Sequence, residues 1–315
     1  MSAAATDLAQ GRPEHGVEGG RVDRRAVAVF LAVAFGLAWA GELVLALTGG
    51  LQQKAAAIAL PVIMFTPMVA SLVACRMRRR PWARSVGLGR ESFSDAAARR
   101  ILGFGLASIL LLLLASGLVV TLADLAGWLP LDAGLPGLGP VMDQLPREDR
   151  PPAWVLLALQ LASIPVAAFT INGLFALGEE VGWRGWLLDA LMPLGRSRAV
   201  LLVGAIWGLW HAPLIAMGYE YSHQVPFLAG VLLFTCFCTA LGVLMAWLRL
   251  RTGSVLTAAV GHGALNASAG LPALFVAPGE LRWAWGTIVG VPGVLVVGGL
   301  AVLLLTRARW SVPQG

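Results

Sequence analysis

Six polar side chains interrupt a chain that is otherwise close to continuous hydrocarbon. Glu179, Glu180 and Arg184 lie in the run G-E-E-V-G-W-R-G, and His211, His262 and Asn266 follow. An ionisable group inside a bilayer costs about 2.5–3.5 kcal/mol or more unless it is paired or hydrated. Glu180 and Arg184 are four residues apart, the spacing at which a carboxylate meets a guanidinium on one helix face. Pairing lowers the cost of keeping both charged. Glu179 lies about 100° around the same helix and is left for chemistry. A carboxylate can take a proton from water and make it nucleophilic. A histidine can share that water, or bind a divalent metal that acidifies it. An Asn amide and a histidine N–H can donate to the oxyanion formed on an attacked carbonyl. The set suits amide hydrolysis. H-E-x-x-H is absent, as are a serine in a G-x-S-G setting and an intramembrane aspartate pair.

Positioning such a set requires helices that cross a membrane. The 315 residues are 58% apolar and 13% charged, against about 25% charged in a soluble domain. Apolar windows long enough to span occur at about 26–48, 55–75, 101–123, 154–177, 199–218, 226–248, 254–276 and 284–306. The fold expected is therefore all-α, a polytopic membrane bundle of about eight transmembrane helices. With both termini cytoplasmic, all but four of the 23 Lys and Arg residues fall inside, the exceptions being Lys54, Arg147, Arg150 and Arg282. That distribution follows the positive-inside rule. The net charge of +6 comes from short arginine clusters beside apolar segments and forms no basic domain, so nucleic acid is excluded as a partner.

In this topology His211 lies about 20 Å along its helix from Arg198, and His262 about 16 Å from Arg251. The two imidazoles thus reach similar depths. Asn266, four residues past His262, shares its helix face. Glu179, His211, His262 and Asn266 are expected to line one cavity open toward the cytoplasm. The segment from Pro152 to Pro193 is about 60 Å as one helix, twice a bilayer core, and is expected to bend near Asn172-Gly173. The cytoplasmic segment from Arg76 to Arg100 is expected to hold an amphipathic helix around Ser92–Arg100. Cys75, Cys236 and Cys238 offer no disulfide framework and read as small packing residues. Residues 1–25 read as a disordered cytoplasmic tail, 26–306 as the transmembrane domain with its core at about 150–275, and 307–315 as a second tail.

The chain resembles the CAAX-protease and bacteriocin-processing family of intramembrane proteases, in its prokaryotic branch. The resemblance is carried by Glu179-Glu180-Val-Gly-Trp-Arg184, Trp207-Gly-Leu-Trp-His211 and His262-Gly-Ala-Leu-Asn266, in family order. It implies an intramembrane endopeptidase of the cell membrane, acting on a membrane-associated protein or peptide. Glu179 would be the general base and His211 would share the water. His262 and Asn266 would stabilise the oxyanion, and Glu180–Arg184 would hold the site's shape. Glu179, His211 and His262 could also supply three ligands to a divalent metal such as zinc, and a metal-free glutamate mechanism uses the same residues. The competing readings are a non-enzymatic immunity or regulatory protein that binds a bacteriocin or membrane partner and, behind it, a transporter. Transporters often show inverted repeats and paired broken helices; neither is evident here.

Overall fold

The computed structural model describes residues 20–311. Most of the expected tail at 1–25, and residues 312–315 of the one at 307–315, lie outside them. Among the described residues the secondary structure is helical, without strands. The helices that build the bundle are α1 (Arg24–Leu47), α2 (Ala56–Ile63), α3 (Thr66–Met77), α4 (Asp95–Leu125), α5 (Ala153–Phe169) and α6 (Ile171–Glu180). They are followed by α7 (Arg196–Trp210), α8 (Ala212–Ala216), α9 (Phe227–Thr252), α10 (Val255–Ser268) and α11 (Val291–Arg307). A π-helical stretch, Val181–Leu187, continues α6.

Local sequence sets the helix ends. Asp23 caps α1 by accepting from the Ala26 N–H at 3.1 Å, and Ser94 caps α4 by accepting from Ala97 at 3.2 Å; each satisfies a backbone donor that the first turn leaves orphaned. Gly253, at φ +77°, ends α9, and Ser254 caps α10 directly after it. The stretch expected as an amphipathic helix around Ser92–Arg100 is helical from Asp95. It forms the first turns of α4, which runs unbroken for 31 residues, because nothing after the Ser94 cap interrupts the helical pattern.

Among the described residues, five helical segments are long and apolar enough to cross a bilayer: Arg24–Leu47, Ala56–Met77, Asp95–Leu125, Phe227–Thr252 and Trp283–Arg307. A sixth is the pair Ala153–Phe169 and Ile171–Leu194, bent by 44°. The two remaining expected spans correspond to α7 and α10, which have 15 and 14 residues. They fall short of the ~20 residues a lipid-exposed span needs. α10 is almost wholly enclosed by protein, so its length is not set by lipid. The bend expected near Asn172-Gly173 falls at Thr170 instead. The Thr170 hydroxyl donates to the Val166 carbonyl at 2.6 Å, and the residue has left helical geometry with φ −122° and ψ −107°. A hydroxyl bonded back to a carbonyl four residues earlier is a known source of helix bending.

Polar contacts sort the loops into two ends. At one, Arg78 pairs with Asp23 at 2.7 Å and Arg251 donates to the Ser311 carbonyl at 2.6 Å. Arg196 lies over the Trp310 ring at 4.8 Å. At the other, Asp132 N–H donates to the Phe275 carbonyl at 2.8 Å, Gln224 donates to Leu281 at 2.8 Å, and the Tyr221 hydroxyl donates to Val289 at 2.9 Å. Most arginines lie at the first end. Between the ends, α6 packs closely on α10. A Cβ on Gly263 would lie 2.7 Å from the Gly173 nitrogen, so the helices touch backbone to backbone. That approach brings His262 to the carboxylates of α6.

Candidate active site

Glu179 and Glu180 end α6 and diverge as the helical period requires. Glu180 turns into the protein, where its Oε1 accepts from Arg184 Nη1 at 2.8 Å and from His262 Nδ1 at 2.9 Å. Glu180 and Arg184 are both 0% exposed. A buried ion pair persists only with good geometry and further hydrogen bonds; His262 supplies one of these bonds. The guanidinium also lies over the Trp207 ring, with Cζ 4.2 Å from its centroid, a cation–π contact strengthened by desolvation. The π-helical turn that carries Arg184 is a local irregularity of a kind frequent at functional sites.

Glu179 turns the other way. Its Oε2 accepts from the Trp207 indole N–H at 2.6 Å. His211, at the end of α7, bonds through Nδ1 to the Trp207 carbonyl at 2.9 Å. A carbonyl only accepts, so Nδ1 carries the proton and Nε2 presents a lone pair. The same reasoning applies to His262, whose Nδ1 donates to the Glu180 carboxylate. The Trp207 ring stands 6.0 Å from the His211 ring and 5.2 Å from the His262 ring, centroid to centroid. It is the hub about which the three groups are arranged.

Glu179, His211, His262 and Asn266 line one pocket. Glu179, His211 and His262 are buried, whereas Asn266 is exposed, one turn beyond His262. The rest of the lining is largely apolar, with Ile63, Met64, Phe234, Phe237, Ile288 and Val289 among it. These residues lie toward the loops that carry Tyr221–Val289 and Gln224–Leu281, the end away from most arginines. The expected opening toward the arginine-rich side is therefore not what the structure has. Glu180 and Arg184 do lie on that side of Glu179, but Val181–Leu188 are buried throughout, so they form a sealed floor.

Among the described residues, no three His, Cys, Asp or Glu side chains stand close enough together to hold a metal ion. The set Glu179, His211 and His262 is not gathered at ligand spacing.

Sequence reasoning missed two carboxylates. Glu42, in α1, is fully buried, and neither of its oxygens has a hydrogen-bond partner; it lies close enough to Glu179 for the two charges to interact. Its signal was present as the single acidic residue within the first apolar window. Glu220 lines the pocket from the loop after α8, in the left-handed region at φ +63°, with Ser222 and His223 also at positive φ. Such strain in non-glycine residues clusters at functional sites, but no sequence pattern announces it.

A family model described as type II CAAX prenyl endopeptidase Rce1-like matches residues 154–268. A curated relative, "CAAX prenyl protease 2" of Methanococcus maripaludis, is 29% identical over 140 residues, covering 36% of this chain. The chain spans about half of that relative's length, 51%. The matched segment contains every helix that carries a pocket-lining Glu, His or Asn named from the sequence.

Proposed function

We propose, from the premise that residues 154–268 share the core of the Rce1-like family, that the chain is an intramembrane endopeptidase of the cell membrane. Its substrate would be a membrane-associated protein or peptide. The observation that carries this reading is the convergence of Glu179, His211, His262 and Asn266 on one largely apolar pocket.

Glu179 and the bare Nε2 of His211 hold a water between them. Glu179 takes one proton as the water oxygen bonds to the scissile carbonyl carbon. The carbonyl becomes an oxyanion facing the Asn266 amide. His262 has committed Nδ1–H to Glu180, so it donates to that oxyanion only as an imidazolium with a second proton on Nε2. The C–N bond then breaks, and Glu179 returns its proton to the leaving amine. Trp207 holds Glu179 in place throughout by donating to Oε2. Hydrogen bonds made to an oxyanion in a site that excludes water are worth several times their value in solution.

The test is hydrolysis of a fluorogenic peptide library by the purified protein in detergent or liposomes. Glu179→Gln should keep expression and melting temperature and lower turnover by about 10²–10⁴-fold, the usual share of a general base. Turnover equal to wild type would sink the assignment. A non-enzymatic immunity or regulatory role predicts partner binding that survives Glu179→Gln, with no hydrolysis by either protein.

A further inference from the structure

We propose that substrate enters this pocket from the extracytoplasmic face of the membrane, as an apolar peptide segment at or just within the outer leaflet. The proposal deepens the peptidase reading and rests on it for the word substrate; the side of entry is argued independently.

Charge sets the orientation. At one end of the bundle lie Arg24, Arg25, Arg76, Arg78, Arg79, Arg80, Arg84, Arg90, Arg99, Arg100, Arg196, Arg198, Arg249, Arg251, Arg307 and Arg309, against Asp23, Glu91, Asp95 and Asp189. At the other, Lys54, Arg147, Arg150 and Arg282 face a larger number of acids, among them Asp124, Asp132, Asp143, Glu148, Asp149 and Glu280. Lys and Arg near the ends of spans and in loops under about 60 residues are retained in the cytoplasm, and the loops here are all of that kind. The arginine-rich end is therefore cytoplasmic.

The pocket belongs to the other half. Tyr219 and Glu220 reach it from the loop before α9, Ile288 and Val289 from the segment before α11, and Asn266 and Ala269 from the end of α10. All of these are at the arginine-poor end. Toward the cytoplasm the way is closed by Trp183, whose ring makes edge contacts with Phe30 and Trp210 at 5.7 and 6.1 Å, and by Trp186, stacked on Phe30 at 4.8 Å. The buried Glu180–Arg184 pair lies in the same layer. A chain arriving from the cytoplasm would have to displace an ion pair whose separation leaves two uncompensated charges in a dry interior. One arriving from the outer face meets an apolar-walled opening, with the exposed Asn266 beside it. The walls of Ile63, Met64, Phe234 and Phe237 select apolar side chains next to the scissile bond.

The experiment reads the side directly. Single cysteines are introduced as Gly270→Cys, next to the pocket-lining Ala269, as Glu148→Cys in the same end's long loop, and as Arg90→Cys at the arginine-rich end. All three positions are exposed, and a Cβ at Gly270 meets nothing within 4 Å. Cys75, Cys236 and Cys238 are replaced by alanine; where that background folds poorly, the native-cysteine parent is labelled alongside and its signal subtracted. A charged, membrane-impermeant maleimide is applied to intact cells and then to permeabilised ones. Gly270→Cys and Glu148→Cys should label fully before permeabilisation, and Arg90→Cys only after it. The reverse pattern overturns the proposal. A peptide probe with an apolar cleavage segment and charged flanks that keep it from crossing membranes, given to right-side-out and inverted vesicles of the wild type, separates the two readings. Cleavage by right-side-out vesicles alone supports both. Cleavage by inverted vesicles alone overturns the side of entry and leaves hydrolysis standing. Cleavage by neither, with Gly270→Cys labelled from outside, counts against hydrolysis and for the orientation.

Discussion

Arg184 has no route to solvent, and its Nη1 bond to Glu180 and its contact with the Trp207 face account for its place in the floor. Arg184→Ala leaves Glu180 with only His262 for company, so it should lower stability by about 3–5 kcal/mol as well as activity. Melting in detergent would show it, and a wild-type melting temperature would mean that the pair is hydrated and the floor open. Glu220 offers a test of the opposite sign. Burial pushes its carboxyl from 4.5 up to about 7, with the Tyr219 hydrogen bond pulling partly back. The folded protein then holds this proton more tightly than the unfolded chain. The group's contribution to stability is accordingly greatest below about 4.5 and is lost as pH rises toward about 7. Glu220→Gln should flatten that decline in melts recorded across the window; identical slopes for the two proteins would place the carboxyl in water.

At the scale of elements, the α6–α10 contact is what joins the first motif to the last. Gly263→Ala puts a methyl 2.7 Å from the Gly173 nitrogen, where backbone cannot yield as a side chain would. Overpacking of this kind costs about 1–3 kcal/mol, and here it also moves His262 away from Glu180. Gly298→Ala is the control, since a Cβ there meets nothing within 4 Å; replacing a helical glycine with alanine gains about 0.5–1 kcal/mol. Opposite signs for the two changes in thermal melts are expected. Equal effects would show that helix propensity, and not interhelical approach, governs both positions.

The whole molecule is organised by two solvents, lipid outside and protein within. α4 shows the division. Leu110, Leu114 and Leu118 form one exposed stripe, while Ile109, Leu112 and Val119 face the core. Leu114, 63% exposed, should tolerate alanine within about 0.5 kcal/mol, because a lipid chain replaces the lost contacts. Leu114→Arg should reduce membrane insertion, since a cation at mid-span costs about 2.5–3.5 kcal/mol. Leu112, 1% exposed, should lose about 2–5 kcal/mol as alanine through the cavity left behind. Insertion assays and melts distinguish the stripes, and a Leu114→Arg protein that inserts normally would mean that this face is covered by protein or water.

Hydropathy and charge along the chain were enough to determine a helical membrane bundle, because the bilayer demands long apolar runs and sorts arginines without reference to neighbours. The spacing of Glu180 and Arg184 likewise determined their pairing, since both lie on one short helical stretch. The divergence of Glu179 from Glu180 followed from the same local geometry. What depends on several helices at once was not legible. Trp207 is the hub because α7 meets α6, and no spacing within α7 foretells that. α10 falls short of the bilayer because other helices, and not lipid, surround it, which a window of hydropathy cannot register. Glu42 comes close to Glu179 across more than a hundred residues of sequence. The direction in which the pocket opens was misjudged for the same reason. Glu180 and Arg184 lie toward the arginine-rich end in sequence, but whether they form a mouth or a floor is decided by Trp183, Trp186 and Phe30 closing over them, and that closure exists only once the helices have packed.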